Sequence, residues 1–242
     1  MDFVKLKELF RDKIDTNLYV PLFQKIEIDL SYAIKEREKI ILVFGESGNG
    51  KTFLTKKVYE VLEKKGEFDL IFFSNSFELQ KKFDTLFEFN EKHKVVFIDE
   101  AQTLSLDRIE KLRMLADTNR CTIVLITHEA EAKMIFAKKH FQTRINYFIN
   151  LQPLKLDRIE LFITSKLLQN DFYDVTSIFT KSNYRLIYKL TKGNLREINR
   201  LMYKTFDVLE YFTNNYPHKV SSSKLDNKFI EIAYMDLEQI NA

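Results

Sequence analysis

The chain has 242 residues, 45% hydrophobic and 30% charged, with a formal net charge of +3. That length accommodates one full-sized domain and a smaller appended one, and the composition excludes a disordered chain. The 38 basic side chains are offset by 35 acidic ones, and residues 1–150 carry 25 against 24, so neither half reads as a basic nucleic-acid platform. The single cysteine, Cys121, excludes an internal disulfide and fits a reducing compartment. No apolar run approaches the ~20 residues that span a bilayer. The first eleven residues interleave charges with apolar side chains, unlike a signal peptide. The expected location is the cytoplasm.

From the N-terminus, periodicity predicts a short amphipathic helix over Phe3–Ile14, broken by the segment Asp15–Pro21. Pro21 suits the first turn of a second helix running to Glu38. Lys39–Phe44 reads as a strand buried on both faces, Gly45–Gly50 as a loop, and Lys51–Lys65 as a helix ending at Gly66. The alternation continues with strand Asp69–Phe73, helix Phe77–Lys92, strand Lys94–Ile98 and helix Ser105–Asp117. Strand Cys121–Thr127, helix Glu129–Lys139 and strand Arg144–Leu151 complete it. Strands alternating with helices predict an α/β fold, a three-layer parallel five-stranded sheet. Cys121 then sits in a strand as a buried, unreactive residue.

Pro153 marks a change of character. Only amphipathic helices follow, over Asp157–Asn170, Ser182–Thr191, Leu195–Asn214 and Asp226–Ile240. The expected division is an α/β domain over residues 1–152, including the N-terminal helices, and a small all-α domain over residues 153–242.

Three of the five glycines, Gly45, Gly48 and Gly50, fall within six residues. The run Gly45-Glu46-Ser47-Gly48-Asn49-Gly50-Lys51-Thr52 matches the phosphate-binding pattern called Walker A, between a buried strand and a helix. Small residues let successive backbone amides face phosphates, and the helix N-terminus adds partial positive charge. Lys51 would reach the β- and γ-phosphates, and Thr52 would give its hydroxyl to Mg²⁺. Val95–Glu100 reads as the matching Walker B strand. Asp99 would hold the metal shell, and Glu100 would orient and polarise the attacking water. Thr127 ends the next strand, where a polar group can position that water (the sensor 1 role), with His128 adjacent. Arg144 opens the last strand and is the candidate arginine finger toward a neighbouring subunit, with Arg120 as its competitor. Arg196, in Gly193-Asn-Leu-Arg196, is the candidate sensor 2.

These residues together resemble the AAA+ superfamily, and within it the ExeA/GspA group of secretion ATPases. The runs Ile98-Asp-Glu-Ala-Gln-Thr-Leu-Ser105 and Ile109-Glu-Lys-Leu-Arg-Met-Leu115 are similar to that group's Walker B region. Phe141-Gln-Thr-Arg-Ile145, Leu151-Gln-Pro-Leu154 and Gly193-Asn-Leu-Arg-Glu-Ile-Asn199 are similar to its finger, linker and sensor 2 segments. The TniB-type transposition ATPases and the origin-recognition ATPases share much of this pattern. The resemblance implies ATP rather than GTP as the nucleotide, Mg²⁺, a nucleotide-dependent oligomer of the chain with itself, and a helical lid domain. It implies a role in an envelope machine such as type II secretion, pilus assembly or DNA uptake, or alternatively in transposition or replication with DNA as partner. ExeA-type proteins continue into a membrane span, so a role at the inner membrane here calls for a membrane-bound protein partner. At sensor 1 this chain reads Thr127-His-Glu-Ala130, where the group commonly has Gly-Gln-Pro-Glu-Leu.

Overall fold

The computed structural model describes residues 1–11, 23–136 and 145–241. The helices run α1 (Phe3–Leu9), α2 (Gln24–Lys35), α3 (Lys51–Lys65), α4 (Ser76–Lys82), α5 (Leu106–Asp117) and α6 (Glu129–Phe136). They continue as α7 (Leu156–Leu168), α8 (Tyr173–Ser177), α9 (Lys181–Thr191), α10 (Leu195–Asn215) and α11 (Asn227–Asn241). The strands are β1 (Ile40–Gly45), β2 (Asp69–Phe73), β3 (Lys94–Ile98), β4 (Cys121–His128) and β5 (Ile145–Leu151). The chain forms two units, one from residue 23 to residue 152 and the other from residue 153 onward together with the N-terminal residues.

The first unit is a five-stranded parallel sheet in the order β2-β3-β4-β1-β5. Every position of β3 and seven of eight in β4 are buried, most of them Ile, Leu, Val or Phe. Such runs pack only where both faces of a sheet are covered, as parallel sheets require. On one face Ile40, Leu42, Val96, Ile98, Ile123 and Leu125 join Leu112 and Leu115 of α5 in a single core. The intervening Ile41, Val43, Val95, Phe97, Val124 and Ile126 are buried as well. Each such side chain removed from water stabilises the unit by roughly 1.5–3 kcal/mol, which is why this sheet is rigid enough to hold a site at its edge.

Register sets that edge. Gly45 of β1 pairs with His128 of β4, Phe44 with Thr127, and Ile98 of β3 with Leu125. The carboxyl ends of β1, β3 and β4 therefore lie side by side, where α/β sheets place their ligands.

The short helix α8 was not among the expected elements, and two others differ from the expectation. The helix expected over Phe77–Lys92 ends at Lys82 and passes into a 3₁₀ turn over Asp84–Phe87. Asn75 caps its start by accepting from the Glu78 amide. Beyond the turn, the Lys94 ammonium, buried at the head of β3, takes the Glu88 carbonyl at 2.6 Å, and that claim on the backbone outweighs helix propensity. The second difference is α1, which was expected to belong with the α/β domain. It packs instead in the helical unit: Leu6 and Phe10 are fully buried, and the Phe10 ring lies 5.6 Å from that of Phe206 in α10. Lys7 completes the dock by donating to Glu210 at 2.6 Å. A seven-residue helix buries its apolar stripe only on a partner face, and α10 offers one along 21 residues.

In the helical unit α9 starts at a reciprocal capping box between Thr180 and Asn183, and α10 at Asn194, whose side chain accepts from the amides of Arg196 and Glu197. Among the described residues no helix is long and apolar enough to cross a membrane.

His93 sits at the foot of the sheet, its Nε2 paired with the Thr122 hydroxyl at 2.9 Å. Burial, helped by the charge of Arg37, pushes its pKa down to about 4. The folded state thus resists a proton that the unfolded chain accepts at about 6.5. Its cost to stability is absent above that value and grows as the pH falls toward 4. Denaturation midpoints measured between pH 7 and pH 4 should fall more steeply for the wild type than for His93→Gln; equal slopes would remove His93 as the cause.

Candidate nucleotide-binding site

The loop from Gly45 to Gly50 leaves β1 through backbone that side chains avoid. Gly48 and Gly50 have φ of +84° and +91°, and alternating left-handed residues of this kind curl a chain so that its amides line a concave face. Gly45, at φ +151°, is required for a further reason: a Cβ there would lie 2.3 Å from the carbonyl oxygen of Leu151. Asn49 is buried and its side-chain amide donates to that same carbonyl at 2.9 Å. The Asn49 side chain is therefore turned to the end of β5, and its contribution to a phosphate would come through the backbone. Gly50 opens α3 with no side-chain cap, and a helix N-terminus is the end that favours an anion.

Lys51 is buried, and its ammonium donates to the carbonyls of Gly45 at 3.0 Å and Glu46 at 2.9 Å, folding across the loop. Thr52 donates its hydroxyl to Asp99 Oδ2 at 2.6 Å. The other oxygen of Asp99 accepts from the Glu100 amide at 2.9 Å. Burial holds the Asp99 carboxyl above the usual range, against the lowering effects of the Thr52 and Glu100 hydrogen bonds. One hydroxyl and one carboxylate, both hard oxygen donors beside a phosphate cradle, are the protein ligands that Mg²⁺ takes when phosphates and water supply the rest. The residues fit the ion on that ground.

Glu100 has left-handed backbone, φ +52°, which turns its side chain out of the strand direction. Its carboxylate accepts from the side-chain amide of Gln102, and His128 Nε2 stands 3.7 Å away. Thr127, almost wholly buried, donates its hydroxyl to Gln102 Oε1 at 3.1 Å. The sheet edge thus gathers Gly45–Thr52, Asp99, Glu100, Thr127 and His128. Gln102 was not singled out by sequence reasoning. The signal for it was its place two residues beyond Glu100, just after the left-handed turn.

Three candidates remain. Arg196 lies in the first turn of α10, in the helical unit, and is exposed. Arg120 precedes β4, so about 25 Å of strand separates it from the carboxyl edge. Its guanidinium stacks over Phe89 at 4.6 Å and donates to the Asn90 carbonyl. Arg144 lies outside the described residues.

Seated between a central parallel strand and a helix, with an acid from the next-but-one position in the sheet against its threonine, the loop defines the P-loop nucleoside triphosphatase fold. Residues 41–146 match the family described as "ATPase family associated with various cellular activities (AAA)". The match lies within the α/β unit, which has the AAA+ fold. No curated protein matches the sequence. Solved structures share the fold. The ORC1 protein of Aeropyrum pernix, in complex with DNA, gives a TM-score of 0.69 at 11% identity, over 96% of this chain and 69% of that one. The RuvB Holliday junction branch migration motor of Thermotoga maritima gives 0.64 at 16% identity, over 92% and 73%. Cdc6p of Pyrobaculum aerophilum gives 0.61 at 12% identity over 87% of this chain, which spans just 66% of that protein's length.

Gly45→Ala should be severe, because the new methyl meets backbone that cannot withdraw without unpairing β5. The expected loss is about 2 kcal/mol or more of stability, together with nucleotide affinity. Thermal unfolding and titration with a fluorescent nucleotide check this; a variant with wild-type values in both would contradict the close approach.

Proposed function

We propose that the chain binds ATP with Mg²⁺ at Gly45–Thr52 and Asp99, hydrolyses it with Glu100, and uses the cycle to drive or regulate a larger assembly. The observation that carries this reading is the 2.6 Å contact between the Thr52 hydroxyl and Asp99, with Lys51 at the head of the same helix. Lys51 exchanges its two carbonyl partners for the β- and γ-phosphates. The amides of the loop and of the first turn of α3 hold the phosphate oxygens. Thr52 and Asp99 would hold Mg²⁺, which would supply positive charge to those oxygens. Glu100 orients a water in line with the γ-phosphate and receives its proton. Arg196, as sensor 2, answers the nucleotide from the helical unit, and Arg144 acts on the γ-phosphate held by a neighbouring copy.

The machine served is, on this proposal, one of the envelope: type II secretion, pilus assembly or DNA uptake. Support comes from the runs Ile98–Ser105, Leu151–Leu154 and Gly193–Asn199, which resemble the ExeA/GspA group. Attachment to the inner membrane would pass through a protein partner. A second reading, a DNA-associated ATPase of transposition or replication, is favoured by one feature of the helical unit. Lys181, Arg185 and Lys189 repeat every four residues along the exposed face of α9, and residues 175–196 hold five bases and no acid. The printed names of the fold relatives, ORC1 with DNA and the RuvB branch migration motor, point the same way.

Glu100→Gln should keep ATP affinity and lose about 100-fold or more in kcat. Equal turnover in variant and wild type would remove Glu100 from the role. The ATP-trapped variant also separates the two readings: duplex DNA binding that falls steeply between 50 and 200 mM salt, about 10³-fold for six phosphate contacts, supports the second, and its absence sinks it. For Arg144, hydrolysis per subunit should rise with protein concentration and lose that dependence in Arg144→Ala. A flat profile in the wild type would dismiss the trans role.

A further inference from the structure

The wild-type hydrogen bonds around Glu100 have a fixed direction. A carboxylate only accepts, so the face of the Gln102 amide turned to Glu100 is its NH₂ group. The opposite face is then Oε1, and it is this oxygen that receives the Thr127 hydroxyl at 3.1 Å. The single proton of Thr127 is therefore spent on Gln102. Reversing the amide would set two acceptors against each other at Glu100, so the order of donation along Thr127, Gln102 and Glu100 is set by the carboxylate at its end.

The backbone beneath this chain is held in place. Thr103 returns both its amide, at 3.0 Å, and its hydroxyl, at 2.7 Å, to the Glu100 carbonyl. Leu104 closes the 3₁₀ turn by donating to Ala101 at 3.2 Å, and Ala101 is buried. Asp99 fixes the Glu100 amide from the other side. With the turn so tied, the free variable is the direction of the Glu100 carboxylate, and among the described residues the side chain that hydrogen-bonds it is Gln102. His128 stands near the same oxygen at 3.7 Å, outside hydrogen-bonding reach.

We propose that Gln102 is a positioning residue through which Thr127 sets the orientation of Glu100. This rests on the reading of Glu100 as the group that orients water. It changes the part assigned to Thr127. With its proton committed to Gln102, Thr127 presents lone pairs to the reaction edge, so it steadies Glu100 rather than donating to a phosphate. A buried threonine, a glutamine amide and a carboxylate then act as one unit, and units of this kind are non-additive.

The test is a double-mutant cycle in ATP turnover and ATP affinity. Gln102→Leu and Thr127→Val should each lower kcat about tenfold with the Kd for ATP unchanged, since each frees the carboxylate without touching the phosphate cradle. The double variant should be no slower than the slower single one. Thr127→Ser, which keeps the hydroxyl, should restore turnover. Losses that multiply in the double variant, a loss confined to ATP affinity, or full turnover in Gln102→Leu would each overturn the proposal. In a Glu100→Gln background Gln102→Leu should add nothing. Wild-type turnover in Glu100→Gln alone would instead defeat the reading of Glu100, so the two failures are distinguishable.

Discussion

Thr52 and Asp99 are 47 residues apart and meet at 2.6 Å, and the candidate site is built around that meeting. The contact exists because β1 and β3 run parallel on either side of β4, which brings the start of α3 and the end of β3 to one edge. A buried carboxylate is costly unless it is hydrogen-bonded. Asp99 is supplied with a hydroxyl on one oxygen and an amide on the other, and burial still raises its pKa. That residual cost is what a divalent cation would relieve.

Two glycines without room for a methyl group hold the segment between β5 and α7. Gly45 lies against the Leu151 carbonyl, with Asn49 donating to the same oxygen. In the other unit, Gly193 lies so close to the Leu154 carbonyl that a Cβ would stand 2.1 Å from it, and the Leu154 amide donates to Gly193 at 2.9 Å. Each grip lies within its own unit, and Gln152 and Pro153 are the two residues between them. The Gly45–Gly50 loop and the turn that opens the Arg196 helix each hold one end of the stretch from Leu151 to Leu154, each within its own unit. Glycine is kept at both places because backbone meets backbone there, where no rotamer change makes space.

The strands, the glycine loop and the acids at the end of β3 were legible from local pattern. Continuous runs of branched apolar residues mark strands covered on both faces, and Gly45, Gly48 and Gly50 mark backbone that other residues avoid. Helix length was less legible. The expected helix to Lys92 stops at Lys82, because Lys94 takes the Glu88 carbonyl from a position that only the sheet defines. The placement of α1 was also out of reach, since an amphipathic stripe of Leu6 and Phe10 shows that a partner exists without saying which. Gln102 escaped for a related reason. A glutamine two residues past Glu100 is ordinary until Thr127 is brought within 3.1 Å of it by the register of β3 on β4.

By itself the sequence indicated the proposed chemistry: which residues would offer oxygens to a metal, which would offer charge to phosphates, and where an α/β pattern gives way to helices at Pro153. These are properties of short segments, where spacing and residue type carry the physics. The tertiary structure alone decided the direction of each hydrogen bond, the turning of Asn49 to β5, the docking of α1 on α10 and the joining of Thr127 to Glu100 through Gln102. Those depend on distances between segments far apart in the chain, and distance is a consequence of packing that no local pattern encodes.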